Sequence, residues 1–305
     1  MDEVRWRNRP ELNRPVVLCA FAGWNDAADA ATTAAAWLQR SWGARRFADV
    51  DPEEFFDFTS VRPLARWSET RGRRIEWPLT TMASATVPGA GRDVIVLQGT
   101  EPQLRWRRFS QGLVQTWRDL GVEMVVTLGA LLADVPHSRP VRVTGSAPDP
   151  VLAGRLGLRS SRYQGPTGIV GVIGDLCATS KLPSVSLWAS VPHYLGRSPS
   201  PRAALALVER TASLLGSGVD TTELQLAAAA YDRQVKDLVA EDDDLATYVA
   251  RLEAAADRED EDEALPDGAG SGQGLPQGSL AAGLGEAGSA ERLAEEVERF
   301  LRDQG

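Results

Sequence analysis

EMVVTLGALLADVPHSRPVR, residues 123–142, is an apolar run that stops abruptly in a polar loop containing Asp134, His137 and Arg139. A strand without polar interruptions is buried on both faces, as in a parallel sheet covered by helices. In an open parallel sheet the chain leaves each strand at its carboxyl end, so polar residues gathered there face a common crevice. His137 is also one of only 2 histidines in the 305 residues.

The neighbouring segments repeat the pattern. Residues 15–22, PVVLCAFA, are a second apolar run, and Gly23 opens an alanine-rich helix to about Trp42, stopped by Gly43. Residues 62–77 read as a hairpin turning near Arg71 and Gly72, followed by a buried strand at 92–99. A helix spans about Pro102 to Leu120, with Leu104, Leu113, Trp117 and Leu120 available to its inner face. After the strand at 123–128, the pattern predicts a short strand at 141–144, a helix near 149–156, a strand at 168–173, a helix near 175–180 and a strand at 184–189. Strands alternating with helices predict a three-layer α/β/α fold with a mostly parallel sheet, because parallel strands need crossover connections.

Residues 1–200 are therefore expected to be the α/β core, and 201–258 an appended helical unit with apolar residues at three- and four-residue intervals. Residues 259–288 turn acidic and then rich in Gly, Ser and Pro, which predicts a flexible linker. Residues 289–303 then place Leu293, Val297, Phe300 and Leu301 on one stripe of an amphipathic helix, a candidate partner-binding element.

Composition narrows the functional classes. The net charge is −9; the segment beyond residue 240 is strongly acidic, whereas residues 1–240 carry a slight excess of bases. Such a tail repels a polyanion, so no nucleic-acid partner is expected. No stretch approaches the roughly 18 apolar residues of a membrane span, and MDEVRWRNRPEL lacks a signal-peptide core, so the expectation is a cytoplasmic protein without a membrane partner. Cys19 and Cys177 are not in paired spacing and read as buried single thiols.

Candidate crevice residues follow from the strand ends: Trp24, Asn25 and Asp26 after the first run, Glu101 after the second buried strand, then Asp134, His137 and Arg139, and His193 and Tyr194 after the last strand. Gly165, in the loop Gln164-Gly165-Pro166-Thr167-Gly168, adds free backbone donors. Helix capping is the preferred role of Asn25 or Asp26, since Asp26 and Asp29 already charge that turn against a phosphate. Glu101 could act as a general acid or base beside Asp134 and His137, but capping the helix that follows it, with Arg105, Arg107 or Arg108 neutralising its charge, is preferred. Asp134, His137 and His193 would make a three-ligand metal set, but Pro-His loops usually serve structure; no metal, cofactor or catalytic residue is assigned. Arg62, Arg66, Arg71, Arg73 and Arg74, with Trp67 and Trp77 between them, superficially resemble a nucleic-acid hairpin, and the two tryptophans also suit a subunit contact.

The strand-end segment, with GWNDAADAA (23–31), SRYQGPTGIVGV (161–172) and SLWASVPHYL (186–195), closely resembles the proteasome assembly chaperone 2 family over roughly residues 12–255. The resemblance implies a core like that of nucleoside phosphorylases and hydrolases with added carboxyl-terminal helices. It also implies a non-catalytic interaction or assembly-chaperone role, with protein partners that include proteasome subunits, and a homo-oligomer, with a trimer as the expected number. Family chaperones that dock through the carboxyl terminus end in hydrophobic, Tyr, any residue; Arg302-Asp303-Gln304-Gly305 departs from that pattern, so docking by that route is not expected. The alternative is a hydrolase or phosphorylase acting on a nucleoside-like or amide small molecule in the crevice, an analogy of fold only.

Overall fold

The computed structural model describes residues 4–70, 72–161, 163–196 and 198–264. Its strands are β1 (Val4–Trp6), β2 (Val16–Ala22), β3 (Arg45–Val50), β4 (Leu64–Ser68), β5 (Gly72–Glu76), β6 (Thr80–Val87), β7 (Arg92–Thr100), β8 (Met124–Ala133), β9 (Val143–Ser146) and β10 (Ser184–Pro192). The helices are α1 (Ala30–Ser41), α2 (Trp106–Asp119), α3 (Pro150–Leu156), α4 (Ile169–Thr179), α5 (Pro201–Leu215), α6 (Thr222–Glu241) and α7 (Asp243–Ala264). Eight strands form one sheet in the order β1-β3-β6-β7-β2-β8-β10-β9. Its centre, β7-β2-β8-β10, is parallel, and antiparallel strands flank it on both sides.

Alternation along the strands separates two cores. Val16, Leu18 and Ala20 of β2 face a cluster with α1 and α5, whereas Val17, Cys19 and Phe21 face one with α2 and α4. The result is the expected three-layer α/β/α fold. Phe109 of α2 meets Phe21 and Phe55 edge-on at 5.9 and 5.1 Å between ring centroids, a preferred aromatic geometry. Both thiols are buried; burial holds Cys19 well above its usual range and pushes Cys177 up to about 12, which leaves them inert.

Several expectations need correction. The apolar run at 168–173 is not a strand but the first half of α4. That run packs on the sheet beside α2 and its residues are all apolar or glycine, so periodicity cannot separate strand from helix there. Cys177 accordingly lies near the end of that helix. Strands β1, β3 and β6 escaped the sequence reading, since these flanking antiparallel strands mix apolar residues with charged ones in β1 and β3 and with Thr and Ser in β6. Leu104 is exposed, because α2 begins only at Trp106. The helix after β2 begins at Ala30, following a 3-10 turn at Ala27–Asp29 in which Ala28 and Asp29 take φ of 53° and 51°.

The boundary at 200/201 also moves. Helix α5 belongs to the layer on the sheet, where Ala203, Ala204, Leu207 and Val208 are buried with α1 and the strands. Only α6 and α7 form a separate cluster, closed by Tyr194 and Leu195. Helix α7 continues to Ala264, beyond the expected linker start at 259. The rest of that linker and the 289–303 segment, with Leu293, Val297, Phe300 and Leu301, lie outside the described residues. Among the described residues no helix is long and apolar enough to cross a membrane.

Candidate functional site

Because the four central strands run parallel, the residues that follow them leave the same edge of the sheet. The structure divides those residues into two groups. The first surrounds the start of α4. Glu101, just after β7, accepts hydrogen bonds from Asn25 Nδ2 at 2.8 Å and from the Ile169 backbone N–H at 2.7 Å. It therefore caps α4, not the helix that follows it in sequence; Arg105 and Arg108 pair with Glu54 instead. A carboxylate at a helix amino terminus satisfies an orphan donor and meets the positive end of the dipole.

Asn25 is almost wholly buried, and its Oδ1 has no hydrogen-bond partner. Asp26 caps α1 from a distance, accepting from the N–H groups of Ala31 at 2.6 Å and Thr32 at 3.2 Å, and from the Thr32 hydroxyl. Burial raises the Asp26 carboxyl above its ordinary range despite these bonds. Trp24 projects into solvent. Gly165 lies in an exposed loop, which Tyr163 braces by donating to the Pro166 carbonyl at 2.8 Å.

The second group lines a cavity of about 180 Å³ between the loop after β8, the end of β10, the start of α5, and helices α6 and α7. Asp134, His137 and Arg139 lie on its wall, with Arg142, Ser190, Ser200, Arg202 and Tyr231. The buried Tyr194 hydroxyl accepts the His137 backbone N–H at 2.8 Å and lies 2.8 Å from His137 Nδ1. Burial, then the Arg202 guanidinium, lowers the His137 pKa from its ordinary value. The Tyr194 hydroxyl and Nδ1 share one hydrogen bond, in which either group can be the donor.

Helix α7 closes this group through polar clasps. Arg139 donates to both Asp257 oxygens at 2.7 and 2.8 Å, and this pairing holds the Asp257 carboxyl below its usual range. Ser138 donates to Glu253, and Tyr248 donates to Asp134 at 3.4 Å. Arg202 bridges the Arg139 carbonyl at 2.8 Å and Asp232 at 2.8 Å. Burial pushes the Tyr231 hydroxyl up to about 12.

Glu101 and His137 thus have different partners and do not share the cavity wall, so an acid–base set of Glu101, Asp134 and His137 is not assembled. His193 is exposed and also lies off that wall. Among the described residues no group of three or more His, Cys, Asp or Glu is placed to hold a metal ion. Arg202, Tyr231, Tyr248, Glu253 and Asp257 escaped the sequence reading. They sit on helices remote in sequence, and nothing in an amphipathic stripe marks which member turns toward a loop 60 or more residues away.

The comparisons fit this architecture. The PAC2 family model matches residues 20–239. A PAC2 family protein from Streptomyces avermitilis is 44% identical, with a TM-score of 0.73, over 77% of this chain and 99% of that one. A proteasome-assembly chaperone homologue from Mycobacterium tuberculosis is 42% identical, with a TM-score of 0.70, over 77% of this chain and 99% of that one. PbaB, an archaeal proteasome activator from Pyrococcus furiosus, shares the fold at 17% identity and a TM-score of 0.65, over 78% and 99% of the two chains. No curated protein matches the sequence. A match that takes in the parallel centre of the sheet, both groups of strand-end residues and the helices α1 to α5 leads to one conclusion: the chain belongs to the PAC2 family.

Proposed function

We propose that this protein is a non-catalytic, assembly-chaperone-like protein that acts in the cytoplasm as a homo-oligomer, a trimer by expectation, with proteasome subunits as its partners. The 42% identity to a proteasome-assembly chaperone homologue supports the class of role. The structural observation that carries the reading is the β4–β5 hairpin, a two-stranded sheet separate from the main one. Trp67 is 78% exposed on it, with Leu64, Ile75 and neighbouring Trp77 also exposed. A lone two-stranded ribbon is marginal in water. An aromatic and arginine-rich surface of this kind is the composition of a protein interface.

The test mixes purified full-length protein with the proteasome α- and β-subunits of its own cell and follows complexes by native mass spectrometry. Co-assembly that is lost in Trp67→Ala, with an unchanged circular dichroism spectrum, is the expected result. Absence of any complex overturns the proteasome reading. A version ending at Leu265 reports separately on the 289–303 segment.

A further inference from the structure

The two faces of the β4–β5 hairpin are unlike. Its register pairs Ala65 with Ile75 and Trp67 with Arg73, so alternation puts these four on one face, with Trp77 next in line. Leu64, Arg66, Arg74 and Glu76 take the other, where Glu76 pairs with both arginines. The first face has no such closure. Trp67, Ile75 and Trp77 are exposed, and none of them belongs to a hydrophobic cluster of the core. Arg62 and Arg73 are exposed as well, and among the described residues neither has an ion-pair partner.

The sequence of residues 289–303 complements this face in both respects. Read as a helix, it places Leu293, Val297, Phe300 and Leu301 on one stripe, with Glu296 and Asp303 one turn from Phe300. Residues 265–305 carry 7 acids against 3 bases, whereas residues 62–77 carry 5 arginines against 2 glutamates.

Topology brings the root of that segment near the hairpin. Thr81 pairs with Gln98 and Thr80 with Val50, so β6 begins, and β3 ends, at the edge of the sheet where the parallel strands finish. Residues 51–79, hairpin included, leave and rejoin the sheet at that edge. The loop after β8 lies there too, and its Arg139 holds Asp257 toward the end of α7. In the sheet order β8 is three strand spacings from β6 and four from β3, roughly 15–20 Å at the usual spacing. A Gly-rich coil as long as the 24 residues from 265 to 288 spans about 25–30 Å.

We propose that residues 289–303 dock as a helix on the Trp67, Ile75 and Trp77 face of the hairpin in the same chain. A lone helix of this length is marginal in water, and so is a lone hairpin. Docking buries both apolar surfaces and sets the acidic flank of the helix against Arg62 and Arg73. The tether favours the same chain over a second copy, because it gives an effective concentration on the order of millimolar. The segment thereby covers the face that the assembly reading gives to partners, although the contact does not rest on that reading.

Hydrogen exchange of the full-length protein, followed by mass spectrometry, tests this with no proteasome subunit present, so its outcome is separable from that of the assembly reading. Amides of residues 293–301 are expected to exchange about tenfold or more below their intrinsic rates, the mark of a closed local state. Phe300→Glu should release them and speed exchange in residues 64–76 as well, with the amides of the main sheet unchanged. Exchange at the intrinsic rate in 293–301, or release there with no change in the hairpin, overturns the proposal. Cysteine pairing then identifies the copy that supplies the segment, since both native thiols are buried. Ile75→Cys combined with Val297→Cys should give a disulfide within one chain under oxidised glutathione. A disulfide only between chains assigns the hairpin to a second copy, and no disulfide leaves the face without this occupant; either result overturns the proposal.

Discussion

Glu101 joins three parts of the chain that are distant in sequence: it directly follows β7, holds Asn25 after β2 and caps α4. Space around it is tight, since a Cβ built on Gly168 would overlap the Asn25 amide. Gly168→Ala should therefore destabilise the protein by about 1–3 kcal/mol, the cost of overpacking, measured by urea unfolding; an unchanged midpoint would mean that the amide moves freely. His137 makes a pH-dependent contribution. Burial and Arg202 depress its folded pKa, while Glu253 and Asp232 act in the opposite direction. A histidine depressed on folding contributes stability that is complete above its unfolded value of about 6.5 and is lost as pH falls through the folded value. Urea midpoints should thus fall between about pH 7 and pH 5, and His137→Gln should shrink that fall; an identical slope in the variant would assign it to other groups.

At the level of elements, α7 is held in two ways of unequal weight. Its polar clasps are partly exposed: Asp257 shows 52% of its side-chain surface beside Arg139 at 36%. Exposed pairs contribute little, because solvent and salt screen them. The apolar seam of Leu245, Val249 and Leu252 against Tyr194, Val235 and Leu238 is buried. Leu245→Ala should cost about 2–5 kcal/mol, far more than Arg139→Ala. Hydrogen exchange should show the loss at α7, with the sheet amides unchanged, because a peripheral helix opens below the global unfolding free energy. Equal effects of the two substitutions would reverse the ranking. The clasps therefore set where α7 lies, while the seam supplies most of the energy that keeps it there.

For the whole molecule, the feature the fold itself does not use is the β4–β5 hairpin. Trp77 packs on Phe58 at 4.8 Å between centroids, so Trp67 is the cleaner probe of an external contact. If the hairpin joins copies of the chain, Trp67→Ala should lower the mass found by light scattering, and an unchanged mass would remove the hairpin from that contact.

The sequence by itself determined the α/β alternation, the buried parallel strands and the family, because each rests on local apolar patterns or contiguous motifs. It also placed Asp134, His137 and Arg139 at a strand end, because the change from an apolar run to polar residues is local. Only the tertiary structure decided that residues 169–179 are a helix, since the carboxylate capping it comes from Glu101, just after β7. It likewise decided that Glu101 and His137 belong to separate groups, and that Tyr231 and Arg202 complete the cavity wall. Those outcomes depend on strand order and helix docking, which bring together groups far apart in the chain, and no local pattern of residues encodes that distance.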